Sequence, residues 1–117
     1  MPTVPPSLPA KSVFGRRLRQ AREMREMSQT ALGLAALDTV DENTAAPRIS
    51  KYERGVNTPK FETIEQLAAA LDLPVAYFVT ETEDLSEAIL LFAQLPIRQR
   101  REALALLRRM VQARKKD

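Results

Sequence analysis

Arg48 and Lys51 stand three residues apart, a spacing that puts two long cationic side chains on one face of a helix. Both are donors of the kind that bonds guanine O6 and N7 in the major groove of a DNA duplex. Ala45, Ala46 and Pro47 precede them and are small enough to let a helix backbone come close to a groove. Ile49 and Tyr52 fall on the inner side and are expected to pack on the preceding helix. A merely solvated face is the alternative for Arg48 and Lys51; Arg54 and Asn57 follow, placed to touch phosphate. Gln29 opens the preceding helix, where exposed backbone N–H groups suit an anion. Nothing here makes or breaks bonds. The chain has no Cys and no His, which excludes thiolate chemistry, imidazole bases and most transition-metal sites. The remaining carboxylates, lysines and tyrosines form no evident catalytic set, so no enzyme, no metal and no cofactor is expected.

Those side chains must be positioned by a small scaffold. At 117 residues, 44% hydrophobic and 28% charged, the composition is that of one soluble domain with a short appendage. The net charge of +3 says less than its distribution. Residues 11–30 are rich in Arg, residues 38–42 carry Asp38, Asp41 and Glu42, and residues 48–60 are basic again. Residues 61–87 hold acids and neither Lys nor Arg, and residues 88–117 are strongly basic. There is no charged start followed by an apolar run, and no stretch long enough to span a bilayer, so a cytoplasmic location is expected by elimination.

The prolines and glycines punctuate seven helical stretches. Four prolines lie in residues 1–11, which read as a flexible arm. Ser12 can cap a first helix to about Arg25, with Val13, Phe14, Leu18 and Ala21 on its apolar face. Arg16 and Arg17 on that helix are candidates for phosphate contact or for plain solvation. Ser28 can cap a second helix containing Gly33, a costly residue there unless close backbone packing requires it. Asp38–Asn43 reads as a loop, Thr44 as the cap of a third helix with Pro47 in its first turn, and Gly55 as its end. Thr58-Pro59 restarts the chain into a stripe of Phe61, Ile64, Leu67, Ala68 and Leu71. A short fifth helix, Val75–Val79, and the acidic connector Thr80–Asp84 follow. Leu85, Ala88, Ile89, Phe92 and Leu95 form a sixth stripe, and Ala103, Leu104, Leu107, Met110 and Val111 a seventh. No segment alternates with the period of a strand.

Residues 14–79 resemble the Cro/repressor-type (XRE) helix-turn-helix family. The resemblance rests on Phe14-Gly15-Arg16-Arg17-Leu18-Arg19, Met27-Ser28-Gln29, Ile49 through Gly55, Thr58-Pro59, Thr63-Ile64 to Leu71, and Leu73-Pro74-Val75 to Phe78. It implies an all-α, lambda-repressor-like five-helix DNA-binding domain over residues 12–80. It also implies sequence-specific binding of double-stranded DNA, with Gln29, Ala46, Pro47, Arg48, Lys51, Arg54 and Asn57 at the DNA. Arg22 and Glu53 match an ion pair that orients the recognition helix. The chain departs from the pattern in three places. The 38–43 connection is about six residues longer than the usual short turn. Glu26 stands where the family often has glycine, and Ala45 and Ala46 replace polar residues.

Residues 81–117 lie outside the resemblance and read as a helical hairpin. Its two stripes suggest a homodimer interface through Leu85, Ile89, Phe92, Leu104, Leu107 and Val111. Two recognition helices would then meet successive turns of an inverted repeat, about 34 Å apart. The expectation is a dimeric transcriptional regulator acting as a repressor. The alternative is a protein-interaction module or an antitoxin-like protein that binds a partner protein through the hairpin and the acidic stretch 61–87.

Overall fold

The structure is a computed structural model that describes residues 10–38 and 41–116. In order, α1 spans Ala10–Met24, α2 Gln29–Ala36, α3 Glu42–Glu53, α4 Phe61–Leu71, a 3-10 turn Val75–Val79, α5 Glu83–Gln94 and α6 Ile97–Lys116. No strand occurs among the described residues, as the periodicity required. The core is where the apolar stripes meet: Phe14, Leu18 and Ala21 of α1, Leu32 of α2, Ile49 and Tyr52 of α3, Leu67 and Leu71 of α4, and Tyr77 and Phe78. Burying each large side chain contributes about 1.5–3 kcal/mol. Phe78 lies 6.1 Å from Phe14 and meets Tyr77 edge-on at 5.2 Å, so the 3-10 turn closes the bundle.

Several boundaries differ from expectation, each for a local reason. Helix α1 starts at Ala10, ahead of Ser12, so Ser12 is not its cap and Ala10 and Lys11 are helical. The rest of the proline-rich arm, residues 1–9, lies outside the described residues. Ser28 caps α2 as expected, its hydroxyl accepting from the Ala31 N–H at 3.0 Å. Helix α3 begins at Glu42 because Asp41, not Thr44, caps it: Asp41 accepts from the Asn43 N–H at 2.9 Å and from the Thr44 hydroxyl at 3.1 Å. Pro47 therefore sits beyond the first turn and offers no N–H to the Asn43 carbonyl. Asn43 is exposed, so water can serve that carbonyl. The start of α4 falls at Phe61 rather than at Pro59, and Phe61 is 63% exposed, outside the core stripe.

Gly55 ends α3 in the left-handed region, φ 75°. The Val56 N–H reaches the Lys51 carbonyl and the Gly55 N–H reaches that of Tyr52, a paired closure of the last turn. Glu26 takes the same backbone region after α1, φ 56°. The chain keeps the turn that a glycine usually makes and bears a Cβ in it.

The two C-terminal helices form an open V rather than a packed pair. Ile89 and Leu90 of α5 rest against the core. Arg100 ties the base of α6 to α5, donating to the Leu95 carbonyl at 2.9 Å and the Ala93 carbonyl at 2.7 Å and lying over the Phe92 ring. Farther along, Leu104, Leu107, Met110 and Val111 are exposed, as is Leu85 on α5. Between the arms lies an apolar groove of about 440 Å³, lined by Ala88, Ile89, Phe92, Leu104 and Leu107 among others.

Candidate nucleic-acid interface

Helix α3 is held on one side and open on the other. Ala45, Ile49 and Tyr52 are buried, while Asn43, Thr44, Pro47, Lys51 and Arg54 are exposed. The contact with α2 is unusually close. A Cβ on Gly33 would stand 2.7 Å from the Ala45 Cβ and 2.8 Å from the Ala45 carbonyl oxygen. Gly33 is thus explained, and so is Ala45, whose small side chain serves the α2–α3 contact instead of an approach to a groove. Gly15 does the same for α1: a Cβ there would meet the Glu53 and Tyr52 carbonyl oxygens at 2.5 and 2.7 Å.

The far end of α3 is fixed by charge. Arg22 of α1 donates from Nε to Glu53 at 2.6 Å and from Nη2 to its other oxygen at 3.1 Å. Its Nη1 donates to the Met27 carbonyl at 3.0 Å. Hydrogen bonding to Glu53 outweighs partial burial and holds Arg22 more firmly in its charged form. Gln29 joins the same cluster, donating from Nε2 to Glu53 at 3.2 Å. One N–H of its amide is therefore engaged inside the protein. The expected orienting pair is present, with Gln29 as a third member that spacing alone did not reveal.

The remaining sequence-predicted residues fall into two groups. Lys51 is exposed, and Arg54 is exposed with Nε donating to the Ser50 hydroxyl at 3.1 Å. Asn57 is exposed beyond Gly55, Pro47 is exposed and Ala46 is half-buried. Arg48 is half-buried, its Nη2 3.5 Å from the Tyr52 hydroxyl, so it is less open to solvent than Lys51. Asp41 and Glu42, expected in a loop, form the cap and the first turn of α3.

Arg17 leaves the list of phosphate candidates. It is fully buried, and its five N–H donors are all engaged. Nε donates to the Thr80 carbonyl at 2.9 Å, Nη2 to the Glu81 and Thr82 carbonyls at 3.3 and 3.2 Å, and Nη1 to Gln20 at 3.0 Å and to the Glu83 carboxylate at 2.9 Å. Arg16 also turns to this connector, donating to the Glu81 carbonyl at 3.3 Å. Among the described residues no cluster of His, Cys, Asp or Glu could hold a metal ion, and no helix is long and apolar enough to cross a membrane.

Comparison with known proteins agrees with this geometry. Residues 13–77 match the family model of a helix-turn-helix domain. The chain is 38% identical over 68 residues to the uncharacterised HTH-type transcriptional regulator y4wC of Sinorhizobium fredii, covering 58% of this chain and 43% of that protein. It is 35% identical over 75 residues to y4aM of the same organism, also an uncharacterised HTH-type transcriptional regulator, covering 64% and 48%. The match thus spans less than half the length of these two relatives. Its structure is similar to the crystal structure of the transcriptional regulator BswR, with a TM-score of 0.79, 33% identity, and coverage of 85% of this chain and 96% of that one. The matched segment holds α1 from Val13 onward, α2 to α4, the 3-10 turn to Tyr77, and the Arg22–Glu53 pair that sets α3: the chain belongs to the helix-turn-helix domain family of transcriptional regulators.

Proposed function

We propose that the protein is a sequence-specific regulator that binds double-stranded DNA as a homodimer on an inverted repeat and represses transcription by occupying the site. The observation that carries this reading is the two-sidedness of α3. One face is locked by Ala45, Ile49, Tyr52 and Glu53, and the opposite face presents Pro47, Lys51 and Arg54 to solvent. With α3 in the major groove, Lys51 and Arg48 reach toward base edges, and Arg54 and Asn57 meet phosphate. The N-terminus of α2 at Gln29 meets a second phosphate through its backbone N–H groups. Pro47 and Ala46 give apolar contact of the kind a thymine methyl accepts.

The homodimer reading rests on the C-terminal V. Leu104, Leu107 and Val111 on α6 and Leu85 on α5 are exposed, and Ile89 and Phe92 line the groove between the arms. A second copy of the chain supplies the same apolar stripe for these to pack against, and two copies match the symmetry of an inverted repeat. The test is selection of bound fragments from random duplex DNA at near-physiological salt. Enrichment of an inverted repeat is expected. Enrichment of a single half-site removes the dimer. No enrichment rejects the DNA reading and favours the partner-protein alternative, for which the same exposed apolar stripe is the natural surface.

A further inference from the structure

We propose that Arg17 is a positioning residue that sets the angle between the DNA-reading bundle and the α5–α6 arms, and thereby the half-site spacing the dimer accepts. The inference rests on the dimer reading above and deepens it.

The connector Thr80–Thr82 is the one stretch between the 3-10 turn and α5, and a hinge there would let the arms swing about the contact that half-buried Ile89 and Leu90 make with the core. Arg17 restricts that freedom. Its guanidinium gathers the three successive connector carbonyls and the first residue of α5, Glu83, around one buried group. Tyr77 stands 5.8 Å from the guanidinium, ring toward it, and its hydroxyl donates to Gln20, the same oxygen that Arg17 bonds. Ser86 of α5 is buried and donates to the Glu83 carbonyl at 2.8 Å, continuing the grip into the helix. A planar fork with five donors can hold several acceptors in fixed directions, which a lysine cannot.

The mechanical consequence follows from lengths. Helix α6 has 20 residues, a lever of about 30 Å at about 1.5 Å per residue. A swing of about 10° at the connector displaces its far end by about 5 Å, more than the rise of about 3.4 Å per base pair. A dimer joined through these arms can therefore hold two α3 helices in register with one spacing only if the connector is rigid.

The test uses the full chain and the half-site enriched by selection, presented alone and as inverted pairs with spacers stepped one base pair at a time. The wild-type protein should show one preferred spacing, with affinity falling about tenfold or more when both half-sites cannot be engaged together. Arg17→Met should keep half-site affinity within about twofold and flatten the spacing profile, while sedimentation still reports a dimer. A second variant, two glycines inserted between Glu81 and Thr82, leaves the α1 core untouched and should flatten the profile likewise, which decides the matter if Arg17→Met fails to fold. A sharp wild-type profile that stays equally sharp in the folded variants overturns the role of Arg17 alone. A wild-type profile that is flat from the outset overturns the dimer-on-repeat reading and this inference with it.

Discussion

Arg22, near the end of α1, and Glu53, the last residue of α3, form a two-bond ion pair across the helix-turn-helix core, at 2.6 and 3.1 Å. Both side chains are largely buried, at 15% and 5% exposure, so their desolvation is substantial and the pair adds little over an apolar one. Its effect is directional, because it fixes the rotation of α3 about its own axis. Glu53→Ala strands the arginine and also deprives Gln29 of its acceptor, and should cost about 3–5 kcal/mol in urea unfolding. Arg22→Met combined with Glu53→Leu should recover much of that stability. If the double variant is no more stable than Glu53→Ala, the stranded charge is not the cause.

Glu26 offers the opposite sign. Its left-handed backbone strains any residue that carries a Cβ, and Glu26 is exposed and forms none of the ion pairs found among the described residues. Glu26→Gly should stabilise the chain by about 1 kcal/mol, a rise in Tm of several degrees in a calorimetric scan. An unchanged or lower Tm would mean that glycine's added freedom in the unfolded chain cancels the relief.

Gly33 should tolerate nothing larger. Alanine favours a helix by about 1 kcal/mol over glycine, yet a Cβ at this position would press on the backbone of residue 45. Gly33→Ala should therefore destabilise by about 1–3 kcal/mol in spite of propensity. A stabilised variant would show that α2 and α3 can part without loss.

The exposed stripe on α6 gives a prediction about assembly. Leu107 is 54% exposed in the single chain and lines the groove facing α5. Leu107→Asp should leave the far-UV helical signal largely intact while shifting the protein to monomer in sedimentation equilibrium. A dimer that persists at unchanged affinity would place the interface elsewhere.

How much of this was legible in the sequence depended on whether the signal was local. The stripe Leu67, Ala68 and Leu71, the Ser28 cap and the Gly55 stop are encoded within a turn or two, and the structure has them where the pattern put them. The start of α3 is ambiguous in the sequence because two caps compete: Thr44 and Asp41 are both capping residues, and Asp41 engages the Thr44 hydroxyl itself. Arg17 was opaque for a different reason. Three of its five acceptors are backbone carbonyls 63 to 65 positions away, and carbonyls leave no mark in a residue code. Gly15 was similar, since the atoms that exclude a side chain there are main-chain oxygens of α3. The Arg22–Glu53 pair is legible only through the family resemblance, because nothing in a spacing of 31 residues joins the two.

In the proposed complex the open face of α3 contacts DNA, and Lys51 is an exposed cation on that face. The decisive measurement is the salt dependence of affinity for the selected repeat, by fluorescence anisotropy, for the wild type and Lys51→Ala. If each Lys51 of a dimer contacts the polyanion, the variant should bind more weakly and the slope of log K against log salt should shrink by up to about 0.9 per contact. Equal affinity and an equal slope for the two proteins would contradict the placement of α3 in the groove.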